Sequence, residues 1–387
     1  MKKTNIFLSL ALLSVAMTGC FSSGNQSTED PYTKTDGVLI YSYDGVVKPA
    51  STDIAGNVVI PSNYEGFDVT RIPDNAFAGC NKITSITIPN SVSYIGKASF
   101  NGCSGIQEIT IPYVGLKMDG KRTEGLFGVI FGNKKYEGGI EVTQYCSDNW
   151  NDDIFYSLPA GLKKVTVTDT TSLSYGAFSG LTMVEEINLN NNLTTLGSNA
   201  FMDCTSLKEM DISNITELPK TLFKNCTSLE YVKLSEQLLT IRDYDFQNCT
   251  SLSRINSEVE GTFNLPSSLT SIGTAFNGCI KMQKLITPFA GGVPSGSGSK
   301  MNMGYIFDKI DCEGTTSVKQ CYGTGIYDFF EWSVPNSLRE IIVTNSTMIG
   351  YCAFQNFTML TNLKINKAGF DNSGDRAYEN CVEPEWF

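Results

Sequence analysis

A phenylalanine followed three residues later by a cysteine returns along this 387-residue chain at a nearly fixed interval. Phe77 and Phe100 are 23 residues apart, Phe178 and Phe201 are 23, Phe201 and Phe223 are 22, and Phe223 and Phe246 are 23. A period in the twenties leaves room for one short supersecondary unit. Such a unit cannot bury its apolar face alone and has to stack on its neighbours. The spacing therefore predicts a solenoid with coils of about 23 residues, not a set of ordinary globular domains.

Within a unit, apolar and polar residues alternate: Ile83, Ile86 and Ile88, then Ile106, Ile109 and Ile111, then Leu207, Met210 and Ile212. That is the pattern of a strand with one buried face. A second apolar pair follows a turn, as in "SVSYIG", "NLTTLG" and "SLTSIG". No window shows a sustained 3.6-residue period, so the fold class expected is mainly β with little α-helix.

Stacked coils place equivalent residues in columns about 4.7–4.9 Å apart. Cys80, Cys103, Cys204, Cys226, Cys249, Cys279 and Cys381 share one such column, in which Leu181 and Phe357 also occur. A position that accepts Leu and Phe calls for buried packing, so these thiols are expected to be neither ligands nor nucleophiles. Of the remaining cysteines, Cys312 and Cys321 lie nine apart and form the expected disulfide pair. The outward strand positions form two polar rows. Thr87, Thr110, Thr166, Asn188, Asp211 and Lys233 lie in one, and Glu108, Lys164, Glu186, Glu209, Tyr231 and Arg254 in its neighbour. A continuous polar face of this kind is a candidate surface for extended recognition, and equally the solvated side of any exposed sheet.

The period breaks twice, by the same amount: Phe100 to Phe178 and Phe276 to Phe354 both span 78 residues. "GVIFG" answers "GYIFD" and "LPAGLKKVTVT" answers "VPNSLREIIVT", at an offset of 176. A coil carrying an insertion thus occurs twice, with the inserted modules at about 112–162 and 288–338. Their aromatics include Trp150, Tyr156, Phe330 and Trp332. Packing against their own coils is the expectation, with sugar stacking as the functional alternative.

Familiar chemistry is sparse. The chain has no histidine, which removes Ser-His-Asp and Cys-His catalysis and imidazole metal sites. "GLKMDGKRT" approaches a phosphate-binding loop but places Arg122 where the magnesium-binding hydroxyl belongs. "SDNWNDD" offers Asp148, Asp152 and Asp153 without the spacing of a calcium loop. No cofactor, metal or enzymatic activity is expected. The net charge of −11, without a basic run, makes nucleic acid a poor partner.

The N-terminus has the form of an export signal, with Lys2 and Lys3 ahead of a largely apolar run from Ile6 to Met17 that is too short to span a bilayer. "MTGCFSS" resembles a bacterial lipobox, which makes Cys20 the expected lipid attachment site. The expected organisation is a signal peptide over 1–19, a lipidated tether over 20–36 and the solenoid over 37–387.

The unit "IPxSVxxIGxxAFxGCxxIxxITIP" resembles the BspA-type leucine-rich repeat of bacterial cell-surface proteins, and "GNVVIPSNYEGFDVTRIPDNAF" is similar to that family's opening coil. The unit departs from the commoner leucine-rich repeat in placing its Cys before the strand, so a helical horseshoe is not implied. The resemblance implies a non-enzymatic, adhesin-like protein. It would be lipid-anchored at the bacterial cell surface, in the outer membrane or cell envelope, touch membrane through the anchor alone and recognise an extracellular protein. The alternative is a glycan-capturing lipoprotein of a nutrient-uptake system.

Overall fold

A computed structural model describes residues 33–149, 152–323, 328–367, 372–374 and 376–387. The chain is a mainly β solenoid. Its principal face is built from parallel strands in two consecutive sheets. Ala55–Val59, Lys82–Thr87, Glu108–Ile111, Lys164–Val167 and Glu186–Asn188 form the first. The second begins at Glu209–Ile212 and Tyr231–Leu234 and ends at Asn362–Ile365 and Glu385–Trp386. Ile86 and Ile88 point inward while Ser85 and Thr87 face out, as the period-two pattern requires. The next side of each coil makes shorter parallel pairs, such as Arg71–Ile72 with Tyr94–Ile95 and Thr240–Ile241 with Ser271–Ile272.

The third side is the Phe-x-x-Cys turn. The inward rings form a ladder through the core, with Phe77–Phe100 at 5.5 Å, Phe178–Phe201 at 5.7 Å, Phe201–Phe223 at 5.4 Å and Phe223–Phe246 at 5.6 Å between centroids. Removing one ring opens a cavity, at a cost of about 3–5 kcal/mol. The residue before each cysteine turns the chain through the left-handed region, as at Gly79, Gly102, Asp203, Asn225 and Asn248. Only Gly, Asn and Asp adopt that conformation at small cost.

The cysteines from Cys80 to Cys279 in the column are buried free thiols, as packing demanded, but each after the first also has a polar task. Cys103 donates to the carbonyl of Phe77, Cys204 to Phe178, Cys226 to Phe201, Cys249 to Phe223 and Cys279 to Phe246, at 3.1–3.3 Å. A thiol is the small side chain that fills this space and still satisfies the preceding coil's carbonyl. Leu181 and Phe357 replace it in the coils that follow the two insertions, where the preceding layer is a 3₁₀ turn.

Three positions differ from the sequence expectation. Thr33–Thr35 is a strand paired with Leu39–Ser42, inside the stretch expected as tether, because the Asp36 carboxylate accepts from the amides of Val38 and Leu39 and from the Tyr41 hydroxyl. The interval between Phe246 and Phe276 is widened by an additional sheet strand, Thr262–Asn264, reached through a loop over 256–261. Cys321 is bonded to Cys352 instead of Cys312, with Cα atoms 5.6 Å apart. The strand Thr315–Cys321 runs between Cys312 and Cys321 and separates them by about 3.3 Å per residue.

Each insertion is a 3₁₀ turn followed by an antiparallel hairpin, Gly139–Tyr145 with Asp153–Pro159 in the first and Thr315–Cys321 with Phe329–Pro335 in the second. A buried glutamine ties each hairpin to the solenoid. The Gln144 side chain accepts from the Gly128 amide at 2.7 Å and donates to the carbonyls of Gly176 and Ala177. Gln320 repeats this with Gly304, Cys352 and Ala353.

Candidate binding face

Strand register assembles the two polar rows. Ser85, Glu108, Lys164 and Glu186 are direct neighbours across four strands, and Thr87, Thr110, Thr166 and Asn188 lie beside them. In the second sheet Glu209, Tyr231 and Arg254 are aligned, as are Asp211 and Lys233. Farther along, the row interrupts its polarity, because Ile286 and Ile342 occupy successive outward positions.

Charges on this face are spent on one another. Lys164 pairs with Glu186 at 2.7 Å, Lys233 with Asp211 at 3.1 Å, Arg254 with Glu209 at 3.5 Å and Lys284 with Glu340 at 3.0 Å. Hydrogen bonds from Lys208 and Lys163 hold the carboxyl of Glu185 down at about 2. Lys164, then Asn188, lowers that of Glu186. Exposed pairs of this type, screened by solvent and salt, add little to stability. Their larger effect is to leave a polar, locally neutral surface with a fixed charge pattern.

A cluster around Tyr231 gives this face relief. The Arg254 guanidinium lies over its ring, 4.9 Å from the centroid, and reaches towards Glu209, Glu258 and Glu260. The 256–261 loop rises beside this cluster, and between them lies a cavity of about 420 Å³ whose walls include Tyr231, Lys233, Asn256 and Glu258. The 30-residue interval from Phe246 to Phe276 marks a widened coil but not this loop as a wall of the face. The available signal was "TFNLP", a second strand pattern directly after Gly261, whose φ of 75° turns the chain.

The insertion aromatics serve the interior. Tyr156 and Trp332 are 6% and 2% exposed, packed on Gly128 and Gly304, where any Cβ would collide with the rings. Trp332 therefore offers no face to a sugar. Phe330 is half-buried between Tyr322 and Trp332, with the Lys309 ammonium over its ring. Trp150 and Cys20 lie outside the described residues. The Asp152 carboxylate accepts from Ser147 and pairs with Arg122 at 3.3 Å, and among the described residues no group of three or more acidic or Cys side chains could hold a metal ion.

Burial pushes the thiols of Cys226 and Cys279 well above the ordinary cysteine range and that of Cys103 up to about 12. A thiolate nucleophile is therefore disfavoured in the column.

The model of the BspA type leucine rich repeat region matches six copies in this sequence, over residues 57–120, 149–262 and 328–385, more than half of the chain. The chain belongs to the BspA-type leucine-rich repeat family. No curated protein matches the sequence. Among solved structures, this BspA-type chain is similar to a leucine-rich repeat protein from Bacteroides ovatus, at 20% identity over 91% of this chain and 78% of that one, with a TM-score of 0.40. It is also similar to a leucine rich cell surface protein from Faecalibacterium prausnitzii, at 18% identity over 93% and 96% of the two chains, with a TM-score of 0.29. The pneumococcal vaccine antigen PcpA matches at 15% identity over 88% and 89%, with a TM-score of 0.27.

Proposed function

We propose that this BspA-type chain is a non-enzymatic, adhesin-like binding protein, exported and held at the bacterial cell surface by a lipid on Cys20, which recognises an extracellular protein through its sheet face. The observation that carries the reading is the relief at Tyr231. A half-buried aromatic sits on a polar sheet face, bracketed by Arg254 and a raised loop, beside a cavity large enough to seat a partner's side chain. Tyr and Arg are the residues on which protein recognition most often concentrates its energy. Family membership supports the repeat scaffold, and the neutral charge pattern of the face favours a partner chosen by shape and register over one captured by bulk charge.

The test is a binding screen of the chain against host matrix proteins and proteins of neighbouring cells, followed by surface plasmon resonance on Tyr231→Ala and Lys233→Glu. For a partner that docks at the Tyr231 relief, each substitution weakens binding by about tenfold or more. A partner whose affinity is untouched by both sinks the assignment of this face.

A further inference from the structure

A second concave surface lies on the side of the solenoid carrying the second apolar pair, and it has a specific cause in the sequence. After that pair most coils place a glycine: Gly96, Gly197, Gly273, Gly350 and Gly374. A Cβ at Gly96, Gly197 or Gly273 would collide with the coil beneath, so glycine is what lets one coil settle onto the last. The amides of Gly96, Gly273 and Gly374 seal the contact by donating to the carbonyls of Ile72, Ile241 and Ile349.

Four coils lack this glycine, at Pro73, Ser174, Pro219 and Arg242, and the last two are successive. Pro219 and Arg242 stand where the glycine belongs. Pro219 has no N–H to give, and the amide of Arg242 turns inward to the buried carboxyl of Asp245. The Arg242 side chain reaches back through Nε to the Leu218 carbonyl at 2.7 Å. The coils part, and a cavity of about 490 Å³ opens over Thr194–Ser198, Thr216–Lys220 and Arg242.

This cavity does not stand alone. It shares the walls Ser198 and Lys220 with one of about 280 Å³ walled by the end of the first hairpin, at Tyr145 and Asp148, and by Tyr175. It shares Lys220 and Arg242 with another of about 180 Å³ walled by Lys300 and Tyr305 of the second insertion. The two insertions thus stop the ends of one trough, with tyrosines at both ends. From Tyr175 to Tyr305 the trough crosses five coil steps, roughly 24 Å at about 4.8 Å per step.

We propose that this trough binds a linear, neutral polysaccharide chain laid along the solenoid axis. Its central walls carry the hydroxyls of Thr194, Thr195, Thr216 and Ser198 beside Glu217 and Lys220, a mixture of donors and acceptors that matches sugar hydroxyls. Lys220, Lys224, Arg242 and Lys300 form no ion pair among the described residues, in contrast to the paired cations of the sheet face. Four carboxylates, of Asp148, Asp153, Glu217 and Asp243, line the same trough. Equal numbers of the two charges leave no net attraction for a polyanion. The same central walls include Leu196, Leu218 and Pro219, apolar surface on which the C–H face of a sugar ring rests while its hydroxyls are bonded.

The test is calorimetric titration of the chain with maltohexaose, cellohexaose, xylohexaose, laminarihexaose and mannohexaose, with hexagalacturonate as the charged comparison. At least one neutral hexasaccharide is expected to bind with a dissociation constant below about 1 mM. Thr216→Trp, which fills the central cavity from an exposed position, is expected to weaken that binding by about tenfold or more, while Lys233→Glu on the sheet face leaves it unchanged. Melting curves for both variants establish that they fold. Three results overturn the proposal: silence from all five neutral sugars, binding of hexagalacturonate alone, or full neutral-sugar affinity in a folded Thr216→Trp.

Discussion

The first and second insertions are the same device held shut in two ways. Gln144 and Gln320 make corresponding bonds 176 positions apart, and Gly128 receives Tyr156 as Gly304 receives Trp332. Where the hairpin end meets the next coil the chemistry diverges. In the first insertion the Tyr145 backbone approaches Gly176, whose φ of 61° and missing side chain permit the contact. In the second, the same two positions are Cys321 and Cys352, joined by a disulfide. A further exchange lies at the base. Gly125 packs on Ser174 in the first insertion, and Met301 on Gly350 in the second. Each contact needs one glycine, and the two copies have placed it on opposite sides. The duplicated geometry is what has been kept, while its covalent and steric means have changed.

The strongest way to break this comparison is through the glutamines. Gln144→Leu or Gln320→Leu leaves the buried Gly128 or Gly304 amide without its partner, at about 1–3 kcal/mol, and removes two bonds to carbonyls that keep other donors, at about 0.5–1.5 kcal/mol each. Each variant is expected to lose about 3 kcal/mol or more in urea unfolding, equally in the two copies. A much smaller loss for Gln320→Leu would mean that the disulfide alone holds the second hairpin.

The disulfide comes next. It closes a separation of 31 residues, so Cys321→Ser with Cys352→Ser is expected to cost about 2–4 kcal/mol. Limited proteolysis should then cut within the second hairpin and spare the first. Equal cutting of both would show that the link does not act locally. The converse change, Gly176→Ala, forces a side chain against the Tyr145 carbonyl at a left-handed position and is expected to loosen the first hairpin only.

The reach of the sequence follows from which interactions repeat. The Phe ladder, the cysteine column and the polar rows recur every coil, so spacing alone places Glu108 beside Lys164 and Tyr231 beside Arg254. The duplication of the insertions was equally legible, because 176 separates every matching pair. Partners made once were not. Cys321 bonds to a residue outside its own insertion, a pairing that sequence proximity to Cys312 concealed. The polar role of the column thiols was hidden for another reason: the acceptor is a backbone carbonyl, which leaves no mark on composition. The cavity above Pro219 and Arg242 is an intermediate case. The missing glycines were visible, but their meaning depends on knowing that this position touches the coil beneath.

The smallest expected effect separates the copies by pH. Glu185 lies just after the first insertion, 2.6 Å from Lys208 and 2.9 Å from Lys163. The corresponding positions in the second copy are Thr361 and Arg339. Arg339 donates instead to the carbonyls of Asn336 and Leu338. Bonds from Lys208 and Lys163 lower the Glu185 carboxyl from 4.5 to about 2. Because the folded value lies below the unfolded one, the contribution to stability is complete above about pH 5 and disappears as pH falls towards 2. Glu185→Gln should therefore flatten the fall of the urea midpoint between about pH 5 and pH 2, with the wild-type slope itself reduced in molar salt because the triad is exposed. Thr361→Ala should leave the slope unchanged. If Glu185→Gln follows the wild-type curve throughout, the triad is a surface pairing without energetic weight, and the two copies differ only in their disulfide and their glycines.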